Sequence, residues 1–197
     1  MNIAVFASHG GSDLQAIIDG CKHNRIDANV AVVISNNCDS MALQRAINAR
    51  IPAYHLSKKK FGSEELLAEQ TLDVLLKHQV DMIFLAGYMR MLHISILEKY
   101  YNRIFNIHPA LLPKFGGKGM YGINVHTAVI EAKEKETGVT IHRVTSEYDS
   151  GEIVAQTTVP VFDDDSPEQL GARVLEKEHD FLVEVIADIV NGKIVLG

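Results

Sequence analysis

The sequence predicts an α/β fold: a mostly parallel, twisted sheet with helices on both faces and an antiparallel hairpin near the C-terminus. Two observations carry this reading. Up to residue 109, short apolar runs alternate with segments of helical periodicity, the pattern of strands buried on both faces and joined by crossover helices. From residue 138 the periodicity changes to alternation around a turn, which suits strands paired antiparallel.

Each element has its own signature. NIAVFAS (2–8) is an apolar run closed by HGGS and reads as a buried strand. SDLQAIIDGCKHN (12–24) carries Leu14, Ile17, Ile18 and Cys21 at helical spacing. ANVAVVISN (28–36) is a valine-rich strand, ALQRAINA (42–49) a helix, and AYHL (53–56) a short strand after Pro52. SEELLAEQTLDVLLKHQ (63–79) is a strong amphipathic helix with Ser63 placed to cap it. DMIFLAG (81–87) is a fourth strand, ISILEKY (94–100) a short helix and RIFNIHP (103–109) a fifth strand. A glycine-rich loop, FGGKGMYG (115–122), leads to a helix near 124–134. The hairpin occupies 138–161 around a turn at Asp149-Ser150-Gly151, and PEQLGARVLEKEHDFLVEVIADIV (167–190) is the last helix. No repeat or linker divides the chain, so residues 1–197 read as one domain.

Composition narrows the function. The net charge is −6, with 19 Lys and Arg against 25 Asp and Glu and no basic run, which argues against a nucleic-acid or membrane-surface binder. The start, MNIAVFASHG, lacks the pattern of a signal peptide, and no apolar stretch is long enough to span a bilayer. Two cysteines, Cys21 and Cys38, form no paired framework. These features suit a soluble cytoplasmic protein.

Four stretches carry candidate chemistry. SHGGSDLQ (8–15) joins a strand to a helix, where free N–H groups attract an anion and glycines admit it closely. It matches neither GxGxxG nor GxxxxGKS, and reads equally as a tight turn with Ser12 as the helix cap. In FNIHPALLP (105–113), Asn106 and His108 lie two residues apart on a strand and project to one side, with Pro109 and Pro113 stiffening the corner. Both stretches sit at the C-terminal ends of strands, where open parallel sheets bind ligands. EYDSGEI (147–153) places Asp149 at a turn, where aspartate is also ordinary turn chemistry. AGYMRML (86–92) offers backbone and apolar groups that could line a pocket for a flat aromatic ligand or simply pack a loop. The remaining histidines show no metal-ligand spacing, so no metal is expected.

Taken together, GSDLQAII, LAGYMRML, NIHPALLP, the His126 region, DSGEI and EKEH resemble, in order, the phosphoribosylglycinamide formyltransferases, the glycinamide ribonucleotide branch of the folate-dependent formyltransferases. The resemblance runs from residue 2 to about residue 190. It implies a Rossmann-like formyltransferase fold and transfer of the formyl group of 10-formyltetrahydrofolate to the amine of glycinamide ribonucleotide in purine biosynthesis, by a monomer or homodimer without a metal. By position, it implies that Gly11, Ser12 and Asp13 hold the phosphate and Glu178 the ribose. Met89, Arg90, Met91 and Leu92 would hold the folate with Asn106, and residues 145–149 would complete its pterin pocket. Asn106, His108 and Asp149 would be catalytic, Asp149 raising the His108 pKa so that a charged imidazolium donates to the oxyanion. The chain departs from the family pattern at Asp13, where Asn is usual, and at Glu64, where Arg is common, with Lys58, Lys59 and Lys60 just upstream. Methionyl-tRNA formyltransferase shares the NIHP-type corner and formyltetrahydrofolate deformylase the chemistry, but both carry further domains that are not expected in 197 residues; sugar-nucleotide formyltransferases fit SHGGSDLQ less well, and a non-enzymatic nucleotide-binding module would have no reason to keep Asn106, His108 and Asp149 together.

Overall fold

The computed structural model describes residues 1–196. Seven strands form one sheet in the order β3-β2-β1-β4-β5-β6-β7. The parallel part comprises β1 (Asn2–Phe6), β2 (Asn29–Ser35), β3 (Ala53–His55), β4 (Met82–Leu85) and β5 (Ile104–His108). Between them run α1 (Ser12–Lys22), α2 (Met41–Asn48), α3 (Lys58–Phe61), α4 (Glu64–Lys77) and α5 (Ile94–Lys99). Then come α6 (Ile123–Glu131), β6 (Glu136–Arg143), β7 (Ile153–Pro160) and α7 (Pro167–Val190).

Alternation along the strands divides the core into two layers. Ile3, Val5, Phe84, Phe105 and Ile107 face one side, packed with Leu14 and Ile17 of α1 and with Val174, Leu182 and Ile186 of α7. Ala4, Phe6, Ile83 and Ile104 face the other, against Ala68 and Leu75 of α4 and Ile96 and Leu97 of α5. The central strands β1, β4 and β5 are therefore covered on both faces, as their unbroken apolar runs require.

Ser63 caps α4 by accepting the Leu66 N–H at 3.1 Å, and Ser166 with Gln169 forms a capping box at the start of α7. Ser12, in contrast, is the first residue of α1 and not its cap. Gly11 holds the cap position at φ 67°, and a Cβ there would lie 2.9 Å from Ala42, so only glycine fits. The sequence reading omitted α3, a single turn of KKKF, which is too short for periodicity to register.

The antiparallel portion is larger than a terminal hairpin. β6 pairs antiparallel with β5 as well as with β7, so the hairpin continues the main sheet. Its connection is also longer than a tight turn at Asp149, spanning residues 144–152. Gly138 sits where the two strands touch: a Cβ would fall 2.0 Å from the Thr157 carbonyl oxygen and 2.7 Å from a Leu111 methyl. Gly138→Ala should therefore destabilise the protein by about 3 kcal/mol, read as a lowered urea midpoint at unchanged slope.

Candidate active site

A cavity of about 560 Å³ opens at the C-terminal edge of β4 and β5. Leu85, Tyr88, Met89, Arg90, Met91 and Leu92 form one wall, and Val144, Thr145, Glu147 and Tyr148 close over it. Asn106, His108 and Asp149 stand at its centre, while Asp13, His126, Leu175 and Glu178 form its far end. The structure thus brings nearly all the sequence-predicted residues to one space. Gly11 and Ser12 do not line it; of the α1 start, only Asp13 reaches the cavity.

The edge is tied together through Ser8. Its N–H donates to the Gly87 carbonyl at 3.1 Å, its hydroxyl donates to Asn36 at 2.5 Å, and the same hydroxyl accepts the Met89 N–H at 2.8 Å. The turn before α1 and the loop after β4 are thereby fixed to each other. Tyr88 packs edge-on against Phe6, 5.2 Å between centroids, and burial pushes its hydroxyl up to about 12. On the exposed surface Glu64 pairs with Lys58 at 3.4 Å, so the acidic departure at residue 64 takes up one of the three upstream lysines.

Asn106 and His108 project to one face, as their spacing requires. Directly opposite on β6 stand His142 and Thr140. Thr140 donates to the Ala110 carbonyl at 2.6 Å and accepts the Leu112 N–H at 3.1 Å. Gln156 of β7 donates to the Leu112 carbonyl at 3.0 Å. The corner after His108 is therefore held by the hairpin's side chains as well as by its prolines; the Leu112–Pro113 peptide is cis.

His142 completes the cluster, although sequence reasoning left it among the scattered histidines. Its Nδ1 lies 2.8 Å from the Arg143 carbonyl and must donate there. Its Nε2 lies 3.1 Å from Asn106 Nδ2 and 3.4 Å from Asp149 Oδ1. Nε2 can serve only one of these at a time: unprotonated it accepts one Asn106 amide N–H and leaves the second available, and protonated it donates to Asp149. The signal that could have found His142 was its alternation within GVTIHR, but the partner strand was not legible.

Asp149 is not an ordinary turn residue. It sits in the left-handed region at φ 52°, and its carboxylate accepts the Gly117 N–H at 2.8 Å. The glycine loop packs directly on it: a Cβ at Gly116 would come within 3.2 Å of Asp149 Cβ. Burial pushes the Asp149 carboxyl up, but the His142 hydrogen bond, the Gly117 N–H and the charges of His108 and His142 outweigh it and hold the group below its usual range.

His108 corrects one expectation. Its Nε2 donates to the Phe115 carbonyl at 2.8 Å, leaving Nδ1 as the site that takes a proton, 3.7 Å from Asp149 Oδ2. Asp149 and the Phe115 carbonyl do raise the imidazole pKa, as expected of the carboxylate. Burial of the ring outweighs them, aided by the charge of His142, and the net pKa is lowered. The resting imidazole is therefore neutral. His126 of α6, against Gly171 of α7, is likewise pushed down by burial and by His108, and its Nδ1 has no partner among the described residues.

Among the described residues no group of three or more His, Cys, Asp or Glu could hold a metal ion, and no helix is long and apolar enough to cross a membrane.

The profile of the formyl transferase family matches residues 1–186. The chain belongs to this family. It is 42% identical over 193 residues to a chloroplastic phosphoribosylglycinamide formyltransferase of Arabidopsis thaliana, covering 98% of this chain and 66% of that protein. It is 38% identical to the phosphoribosylglycinamide formyltransferase of Escherichia coli, covering 98% of this chain and 89% of that one. Its fold superposes on glycinamide ribonucleotide transformylase 1 of Symbiobacterium toebii with TM-score 0.92 at 38% identity, covering 100% of this chain and 91% of the other. The chain thus spans somewhat less than two thirds of the plant relative and most of the bacterial ones. The α/β formyltransferase architecture expected from sequence is the one observed.

The electrostatics give a direct expectation. An NMR titration of His108 should show a midpoint below the ordinary imidazole value of about 6.5. In Asp149→Asn the midpoint should fall further, because the one carboxylate that favours the imidazolium is gone. A midpoint that does not move in the variant would show that the two residues are not electrostatically coupled.

Proposed function

We propose that this formyltransferase family member transfers the formyl group of 10-formyltetrahydrofolate to the amine of N1-(5-phosphoribosyl)glycinamide, the step named by its relatives in purine biosynthesis. The observation that carries this reading is the convergence of Asn106, His108 and Asp149 midway along one cavity, between an apolar loop wall and the start of α1. The wall of Met89, Arg90, Met91 and Leu92, closed by residues 144–148, suits the flat ring system of the folate. The far end suits the ribonucleotide, with the α1 N-terminus and the Gly11–Ser12 turn attracting its phosphate and Glu178 its ribose hydroxyls. Both ligands are small molecules; the reading involves no nucleic acid, membrane or metal and places the protein in the cytoplasm.

The chemistry follows from the protonation states. The amine nitrogen attacks the formyl carbon, a C–N bond forms, and the carbonyl electron pair moves to oxygen. Asn106 donates its second N–H to that oxyanion, a contact typically contributing about 10²–10³ in rate. Neutral His108 accepts the proton lost by the attacking amine at Nδ1, and Asp149 stabilises the imidazolium so formed. The oxygen lone pair re-forms the carbonyl as the bond to the folate nitrogen breaks, and His108 returns the proton to that nitrogen. No proton is gained or lost overall. This differs from a resting imidazolium: the charge on His108 forms only as the reaction proceeds.

Mixing the two substrates with the protein and following tetrahydrofolate absorbance tests the activity; no product would refute it. Asn106→Ala should lose about 10²-fold in kcat with a smaller change in KM. Dialysis against a chelator should leave turnover unchanged. The base must be neutral to act, so kcat should fall on the acid side as pH drops through the His108 pKa. In Asp149→Asn that limb should shift to lower pH while turnover at its plateau drops by orders of magnitude. An enzyme whose rate instead rises toward acid pH would require a charged His108 at rest.

A further inference from the structure

Asp13 of α1 and Glu178 of α7 meet at the far end of the cavity, 8% and 7% exposed respectively, and both line it. Each carboxyl shifts the other's proton affinity, so the two adjoin. Two buried carboxyl groups side by side do not readily both ionise, because like charges in a desolvated site repel. Asp13 Oδ1 is buried with no hydrogen-bond partner among the described residues; His179 Nε2 lies 3.5 Å from it and has none among them either. The reading of this end as the ribonucleotide's places a phosphate at the α1 N-terminus, within a turn of the pair.

We propose that Asp13 and Glu178 hold a single proton between them, and that this proton makes the subsite's affinity for its phosphate ligand depend on pH. The inference rests on the proposed function for the identity of the ligand. With the proton in place the pair carries one negative charge, which the positive end of the α1 dipole partly offsets. Without it the pair carries two, facing a dianionic phosphate across a buried site. Burial, with the adjacent Asp13 charge, holds the Glu178 carboxyl well above its usual range, so Glu178 keeps the proton. Burial also raises Asp13, against the adjoining Glu178 carboxyl and the charge of His179, so Asp13 is the accepting partner.

The sign follows from linkage. Loss of the proton as pH rises weakens anion binding, and binding at high pH draws a proton back. The other charged groups near this end do not substitute for the pair. On α7, His179 opposes its charge from the rim. On α2, Arg45 is engaged by the Gly10 carbonyl and Gln15. His126 of α6 and Lys118 of the glycine loop line the same cavity, and His9 lies in the turn before α1. All of these are present unchanged in a variant at residue 13.

The test is calorimetric titration of the enzyme with N1-(5-phosphoribosyl)glycinamide from pH 7 to 9, where the phosphate is already dianionic, in two buffers of different ionisation enthalpy. For the wild type, Kd should rise toward the limit of about tenfold per pH unit, with proton uptake seen as a buffer-dependent enthalpy. Asp13→Asn should bind more tightly at pH 9 by tenfold or more and lose the additional uptake; Glu178→Gln, which weakens ribose contacts, should lose it as well. The ligand's own amine titrates identically in all three proteins, so the difference isolates the pair. Wild-type proton uptake retained in Asp13→Asn would overturn the inference, as would its disappearance only in His179→Gln. Formyl transfer without linked uptake would sink this inference alone. Linked uptake without formyl transfer would leave the pair standing and sink the proposed activity.

Discussion

His142 stands across from Asn106, and Thr140 across from His108, because β6 pairs with β5 in a single antiparallel register. That pairing sets the site. It brings a histidine against the amide, a hydroxyl beneath the corner, and the 144–152 connection back over the cavity so that Asp149 reaches both rings. A slip of one residue would turn His142 and Thr140 to the opposite face, among Phe105 and Ile107, and strand their polar groups in the core. The register is held from outside the site as well. Arg143 donates to Glu152, Asn102 and Val195, clamping the end of β6 to the start of β7 and to the C-terminal segment.

Within this frame, burial competes with charge at every titratable group, and different contacts decide the outcome. Asp149 has a backbone N–H and two imidazoles and stays ionised despite its surroundings. His108 has one carboxylate at 3.7 Å, too distant to overcome desolvation, and is neutral. Glu178 faces another carboxyl and keeps its proton. The cluster thus sets a fixed negative charge beside an imidazole that is uncharged at rest.

Much of this was legible in the chain. The apolar runs 2–8, 28–36 and 81–87 announced strands because parallel strands covered on both faces cannot alternate, and Ser63 announced α4 because its cap is local chemistry. Asn106 and His108 were legible as a pair because strand geometry fixes their direction. What escaped was non-local. His142 became a site residue only through the strand it faces, and Gly11 became a cap only because Ala42 leaves no room for a Cβ. The sign of the His108 shift also escaped, since motif order names its partners but not how far each lies or how deeply the ring is buried. Asp13 and Glu178 are far apart in sequence, and only the packing of α1 on α7 joins them.

The bond network at Ser8 has a further consequence. By tying the turn before α1 to the loop after β4, it makes both ends of the cavity parts of one rigid edge. The lateral distance from the α1 turn to His142 is then set by the strands between, β1, β4, β5 and β6, which are consecutive neighbours. Three inter-strand spacings amount to about 14 Å. The sheet therefore acts as a ruler: it fixes how far apart the two ends of the cavity lie, whatever side chains line them.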